Sequence, residues 1–311
     1  MEQRTLGQTG LRVSATALGT MTWGSDTDEH EAKDLLTEFL DAGGTLLDTA
    51  PGYGQGTAEE VVGSLMSGSV NRRDVVLMTK AGVTSGPDGS AQIETSRRTL
   101  LNSLDDSLAR LGTDHVDLFM VQSPDPDTPL EEVAAALQSA VTSGRAHYVG
   151  VCHFSAWQVA YLAGLMRGGV SLSAAQAEYS LVRRSPEREL MAATQNLGIG
   201  FLGCAALGRG VLTGKYRHTI PADSRAASTH LAAYVEPYLK ERFTGVIEAV
   251  TTAAQGLDVD PMVVAVAWAL ANPAVASSIV GPRTAAQLRP LLASDLQLPP
   301  QIYVALREAS A

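Results

Sequence analysis

Cysteine is nearly missing from this chain: its 311 residues include two, Cys152 and Cys204. Two cannot build a disulfide framework, and no CxxC spacing points to structural zinc, so reduced thiols and no metal site are expected. No apolar run approaches the roughly 18 residues that cross a bilayer. The opening MEQRTLGQTG places acidic and polar residues where a secretory signal needs a basic end and then an apolar stretch. A cytoplasmic protein with no membrane partner is expected. Positive charge is also scarce, with 23 basic against 33 acidic side chains, a net charge of −10, and no compact run of Lys and Arg. Such a balance repels a phosphate backbone and argues against nucleic acid as a partner. A last absence bears on the fold. A Rossmann-type open sheet carries GxGxxG between its first strand and helix, with an acidic residue about 20 positions on. The nearest stretch here, Gly52-Tyr53-Gly54-Gln55-Gly56, lacks that spacing, and its glycines need only a tight turn.

What is present is the pattern of a globular chain, 45% apolar and 18% charged, with a mean hydropathy of +0.05 that excludes disorder. Between His30 and Asp41, residues Ala32, Leu35, Leu36, Phe39 and Leu40 form the stripe of an amphipathic helix. Leu100, Leu101, Leu104, Leu108 and Leu111 form a similar stripe, as do Val133, Ala136, Leu137, Ala140 and Val141. Short apolar runs lie between such segments: Thr45 to Leu47, Val75 to Thr79, Val116 to Val121, Tyr148 to Val151, Ile199 to Leu202 and Ser278 to Val280. They read as strands buried on both faces. Thr57 with Glu60 predicts a capping box, Asp260 before Pro261 an N-cap, and Thr284 the start of a last helix. Alternating strands and helices without a linker predict an α/β fold, one domain over residues 1–311, with about eight units. A closed (β/α)8 barrel, the TIM barrel, is the first choice; a doubly wound sheet is the rival.

The tips of these runs carry chemistry. Asp48, Lys80, Gln122, Cys152 with His153, Gln176 and Cys204 each follow or end an apolar run, and in a barrel such tips share one rim. Any single polar tip is what a strand end needs anyway; acid, base, amide and thiol together point to a site. Asp48, Tyr53 and Lys80 are the sharpest set. A phenol is a poor acid at neutral pH, and a neighbouring ammonium stabilises its phenolate. Lys80 is expected to supply that charge, Asp48 to keep Lys80 protonated, and Tyr53 to give a proton to a carbonyl oxygen as hydride reaches carbon. The competing reading of the same three is a structural ion pair beside an incidental tyrosine. Cys152, His153 and Cys204 are too scattered in sequence to predict a soft-metal site. His115 reads as a loop residue, and His30, His147, His218 and His230 lack neighbours that suggest chemistry.

From about Leu6 to about Leu288 the sequence resembles the aldo-keto reductases. The resemblance rests on LGQTGLRVSATALGTMTWG at 6–24, DTAPGYGQGTAEE at 48–60, the MTK ending at Lys80 and VDLFMVQSPDPDTPLEE at 116–132. It continues through GRAHYVGVCHFS at 144–155, AQAEYSLVRR at 175–184, LGRGVLTGKY at 207–216 and IVGPRTAAQL at 279–288. It implies a (β/α)8 barrel closed below by an N-terminal β-hairpin, matching the Gln8-Thr9-Gly10 turn. It also implies NADPH extended across the rim and reduction of an aldehyde or ketone. Asp48, Tyr53 and Lys80 match three members of the catalytic tetrad, with Tyr53 as general acid. Gly19, Thr20 and Met21 match the loop beside the cofactor, Trp23 a substrate-pocket aromatic, and Gln176 a nicotinamide ligand. Leu207, Gly208 and Arg209 match the pyrophosphate loop; Gly281, Arg283, Thr284 and Gln287 match the 2′-phosphate segment.

The chain departs from the family pattern at several positions. Gln122 stands for the tetrad histidine and can donate a hydrogen bond to the substrate oxygen but cannot titrate. Cys152-His153 replaces the Ser-Asn pair that holds the carboxamide, and Cys204 replaces the aromatic that stacks on the nicotinamide. Ala205-Ala206 replaces Ser-Pro, and Pro290-Leu291 replaces Glu-Asn near the adenine. The alternative reading is therefore a barrel that has lost hydride transfer and acts as a cofactor-independent lyase or isomerase, or as a ligand-binding protein. The stretch from Leu207 to about Leu231 is long for a barrel connection and is expected to fold over the cofactor or substrate. The expected partner is a small-molecule substrate, and a monomer or a weak homodimer fits the sequence.

Overall fold

The computed structural model describes residues 1–85, 90–229 and 231–311; His230 lies outside them. Eight parallel strands close into a barrel in chain order. They are β1 (Thr16–Gly19), β2 (Leu46–Asp48), β3 (Val76–Ala81), β4 (Val116–Val121), β5 (Ala146–Cys152), β6 (Leu172–Glu178), β7 (Gly200–Cys204) and β8 (Val275–Val280). Helices cover the outside, among them Glu29–Asp41, Thr57–Gly68, Arg97–Leu111 and Leu130–Thr142. The predicted leucine and alanine stripes are the buried faces of those helices, with Leu40, Leu101 and Val141 at the partly covered edges. β1 carries no strand signal of its own in the sequence. It is four residues long, all buried, and holds its place by pairing with β2 and β8.

The capping box expected at Thr57 does not form. Gly56, in the left-handed region, is the N-cap, and Thr57 is the first helical residue, its hydroxyl donating to the Gly54 carbonyl. Asp260 does sit at an N-cap before Pro261, although its side chain makes no cap hydrogen bond.

Inside the barrel, Leu46, Met78, Leu118, Met120, Ala174 and Leu202 form a core separate from the layer between strands and helices. An antiparallel pair, Gln3–Thr5 with Arg12–Ser14, brings Leu6 and Val13 into that inner core. The turn is fixed to the barrel by a hydrogen bond from Gln8 N to Gly198 O at 2.8 Å. The N-terminal end is thus closed, and the opening lies at the other end. Crowding inside is set by backbone approach: a Cβ on Gly150 would lie 2.4 Å from Met120 Sδ and 2.6 Å from Ala174 O. Gly150→Val should therefore lower the unfolding free energy by about 3 kcal/mol through overpacking, read as an earlier midpoint in urea.

Candidate active site

The C-terminal strand ends open into a cavity of about 940 Å³. Gly19, Asp48, Lys80, Gln176, Glu178 and Cys204 line it from their strands, with Gln122, His153 and Gly281 from positions just beyond theirs. Tyr53 reaches it from the turn after β2. That turn works because Gly54, Gln55 and Gly56 all take positive φ, 57°, 56° and 99°. Gly54 and Gly56 adopt these angles without steric cost, Gln55 holds one that a side chain rarely takes, and together they reverse the chain within one short turn.

Lys80 is the hub. The residue is 1% exposed, and its ammonium donates to the Asp48 carboxylate, to Thr49 O at 2.9 Å and to the Tyr53 hydroxyl oxygen at 3.3 Å. Burial pulls against its charge more strongly than any single partner favours it, but Asp48, Tyr53 and Cys152 together outweigh burial and hold it above the usual lysine range. Burial likewise lifts the Asp48 carboxyl, against the attraction of Lys80. For Tyr53 the balance differs from the sequence expectation. Burial raises the phenol well above its ordinary value, and the opposing charge of Lys80 does not cancel it. The tyrosine is therefore firmly protonated before any substrate binds, which is the form a proton donor must have.

Around this hub the polar groups have open valences. Gln176 accepts from Cys152 Sγ at 3.3 Å through Oε1, while its Nε2 is buried with no partner among the described residues. Gln122 Oε1 is also buried and unpartnered among them. His153 is kept largely neutral by burial, against the pull of Glu178, and its backbone holds φ at 61°. A second, smaller cavity of about 160 Å³ adjoins the first, lined by Leu207, Arg209, Gly281, Arg283 and Gln287 with Lys215, Arg225, Met262 and Leu291. Its cations are crowded. Burial, and after it the charges of Arg225 and Arg283, holds Lys215 below its usual range. Arg225 Nε is buried with no partner among the described residues. Repelling cations around a void suit an anionic ligand with several oxygens, and Gln176 Nε2 suits a carbonyl oxygen.

Most of the expected site residues thus converge, but five do not reach either cavity. Trp23 is not on a substrate wall: it is fully buried in the outer core. Thr20 is buried, its hydroxyl donating to Asp48 O at 3.1 Å, and Gly208 is buried in its turn. Thr284 caps the Ala285–Leu292 helix by accepting from Gln287 N. Cys152 is covered and orients Gln176 instead of facing a ligand. Cys152, His153 and Cys204 do not gather as metal donors among the described residues.

Other residues enter that the sequence reading did not single out. Glu178 accepts from Arg209 and from the Tyr238 hydroxyl, and Arg209 stacks 3.7 Å from the Tyr234 ring centroid. Arg225 donates to Gly281 O at 2.6 Å, tying the long loop to the end of β8. Lys215 lay in the quoted LGRGVLTGKY stretch; Arg225 opens the short helical turn Arg225–Ala227 and Tyr234 sits in the four-residue helix Ala232–Val235, both too short to carry a periodic signal.

Comparison with known proteins agrees with this geometry. The sequence model of the Aldo/keto reductase family matches residues 16–311. The chain is 36% identical to the uncharacterized oxidoreductase YrpG of Bacillus subtilis (strain 168), over 93% of this chain and 89% of that protein. It is 34% identical to the L-glyceraldehyde 3-phosphate reductase of Escherichia coli (strain K12), over 93% and 86%. It is also 35% identical to a probable voltage-gated potassium channel subunit beta of Oryza sativa subsp. japonica, over 90% and 87%. On its fold, its rim and these matches, the chain belongs to the aldo/keto reductase family, whose oxidoreductases act on carbonyl groups.

Proposed function

We propose that this protein is an NADPH-dependent reductase of an aldehyde or ketone in which Tyr53 is the general acid. The observation that carries the reading is the Lys80 ammonium, held by Asp48 and donating to the Tyr53 oxygen at the floor of a large cavity. Because that oxygen already accepts from Lys80, the phenol hydrogen is left to point at a substrate. NADPH supplies hydride to the carbonyl carbon when bound. Tyr53 gives its proton to the carbonyl oxygen as negative charge develops there, and the phenolate left behind faces an ammonium hydrogen already in place. Asp48 keeps Lys80 charged through the cycle. The Gln122 amide donates to the same substrate oxygen and orients it without titrating.

The open valences fit the cofactor's parts. Gln176 Nε2 would hold the carboxamide oxygen of the nicotinamide, and Lys215, Arg225 and Arg283 the phosphates. Leu291 and Met262, both on the wall of the smaller cavity, would provide an apolar surface for the adenine. Where the family pattern has an aromatic and a Ser-Asn pair, this chain relies on Cys204 and His153 at the cavity wall. The relative named for reducing a phosphorylated aldehyde supports carbonyl chemistry at this kind of rim.

Adding NADPH should quench the protein's fluorescence and raise its melting temperature. No change at millimolar NADPH would overturn the reading and leave the non-redox alternative. Tyr53→Phe should retain that binding and lose about 10²- to 10⁴-fold in kcat for aldehyde reduction, measured by NADPH oxidation.

Arg283→Ala should weaken NADPH by roughly 10- to 150-fold, the loss of one charge-assisted hydrogen bond, and leave NADH affinity unchanged in the same titration. If the Leu207–Leu231 stretch closes over the cofactor, NADPH should slow its limited proteolysis several-fold. Equal cutting with and without cofactor would count against that closure.

A further inference from the structure

The barrel's opposite end holds a group of side chains that the reductase reading does not use. His115 stands just before β4, Asp117 lies within it and His147 lies on the neighbouring β5. The register pairs Val116 with Ala146, so Asp117 and His147 are neighbours across the two strands. Both precede the inward-facing Leu118 and Tyr148, and they therefore turn outward, away from the barrel axis. One ligand atom from each of the three residues lies within 4.8 Å of the others.

The details of this group resemble a ligand set more than a hydrogen-bond network. His147 Nδ1 stands 3.7 Å from Asp117 Oδ1, beyond hydrogen-bond length. Two donors held about 2.1 Å from one tetrahedral zinc stand roughly 3.4 Å apart, so a small shift of the half-exposed His147 closes the gap. Other atoms of Asp117 and His115 are held by neighbours. Asp117 Oδ2 forms an ion pair with Arg72 at 2.8 Å and accepts from Leu77 N at 2.8 Å, which fixes the carboxylate and leaves Oδ1 facing His147. His115 Nδ1 pairs with Asp114 Oδ1 at 2.6 Å, which leaves Nε2 as its ligand atom; a carboxylate behind a metal-bound histidine is the usual outer partner of such sites. The two rings lie 4.4 Å apart, tilted by 31°, so the imidazoles are held side by side.

We propose that His115, Asp117 and His147 bind one divalent transition-metal ion of the zinc, cobalt or nickel class at the base of the barrel. Two imidazoles and one carboxylate select borderline cations over magnesium or calcium. Water completes the coordination, since the group faces solvent. The ion would clamp β4 to β5 at the end of the barrel remote from Tyr53, so it acts on stability and not on hydride transfer.

The test uses the full chain without an affinity tag, titrated with zinc alone by calorimetry and with cobalt alone by visible absorption. One zinc per chain, the d–d bands of four-coordinate cobalt and a higher melting temperature with zinc are expected. His147→Gln alters a half-exposed side chain and should leave the apo melting temperature unchanged while weakening zinc at least tenfold; His115→Gln should do the same. Absence of stoichiometric uptake, or equal affinity in both variants and the unaltered protein, overturns the proposal. NADPH-dependent reduction stays the same in every arm, so failure of this site is distinct from failure of the reductase reading.

Discussion

The site depends on one buried ion pair. Removing an ammonium and a carboxylate from water costs several kcal/mol per ion, and their attraction offsets that only when geometry is good and the remaining hydrogens are satisfied. Lys80 meets the condition with Asp48, a backbone carbonyl and the Tyr53 oxygen. Those partners come from β2 and the turn behind it, so the pair requires β2 and β3 in their observed register, Asp48 beside Met78. A slip of one residue would turn Lys80 out of the barrel mouth and leave Asp48 facing apolar side chains. Barrel closure is in this sense a condition for the chemistry as well as a way to bury leucines.

Charge is graded across the rim. The hub around Lys80 is charge-balanced and largely buried, and Glu178 with Arg209 makes a second balanced pair. Beyond it, Lys215, Arg225 and Arg283 gather around the smaller cavity with their mutual repulsion only partly relieved. A ligand with its reactive ring at the neutral end and its phosphates at the cationic end would meet complementary fields at both. The overall acidity of the chain masks this local positive region, which composition alone does not reveal.

Much of the fold was legible because it is written in short-range order. The stripes at 30–41, 100–111 and 133–141 repeat with helical period, and the buried strands read as apolar runs ending in polar residues. β1 escaped because its four residues carry no run of their own and depend on neighbours for definition. The capping box at Thr57 failed because the turn needed for Tyr53 uses the Thr57 hydroxyl on Gly54 O. At the site, Asp48, Lys80, Gln122, Gln176 and Cys204 were readable as strand tips, whereas Trp23 was misplaced because a side chain's direction off a loop is set by packing. At Tyr53 the charge of Lys80 does favour the phenolate, as expected, but burial outweighs it. Sequence shows which charges are near, but not how much water has been removed. Arg225 and Tyr234 sit on short helical segments and act through tertiary contacts, for which no local pattern exists.

The two thiols gain a meaning from the same dehydration. Burial pushes Cys152 up to about 12 and lifts Cys204 well above the usual thiol range. The thiolate is the nucleophile, and the neutral thiol is a poor one. Cys204 lies on the wall of the chamber. Kept as S–H, its sulfur is a weaker nucleophile than a thiolate and places a soft, polarizable atom on the chamber wall.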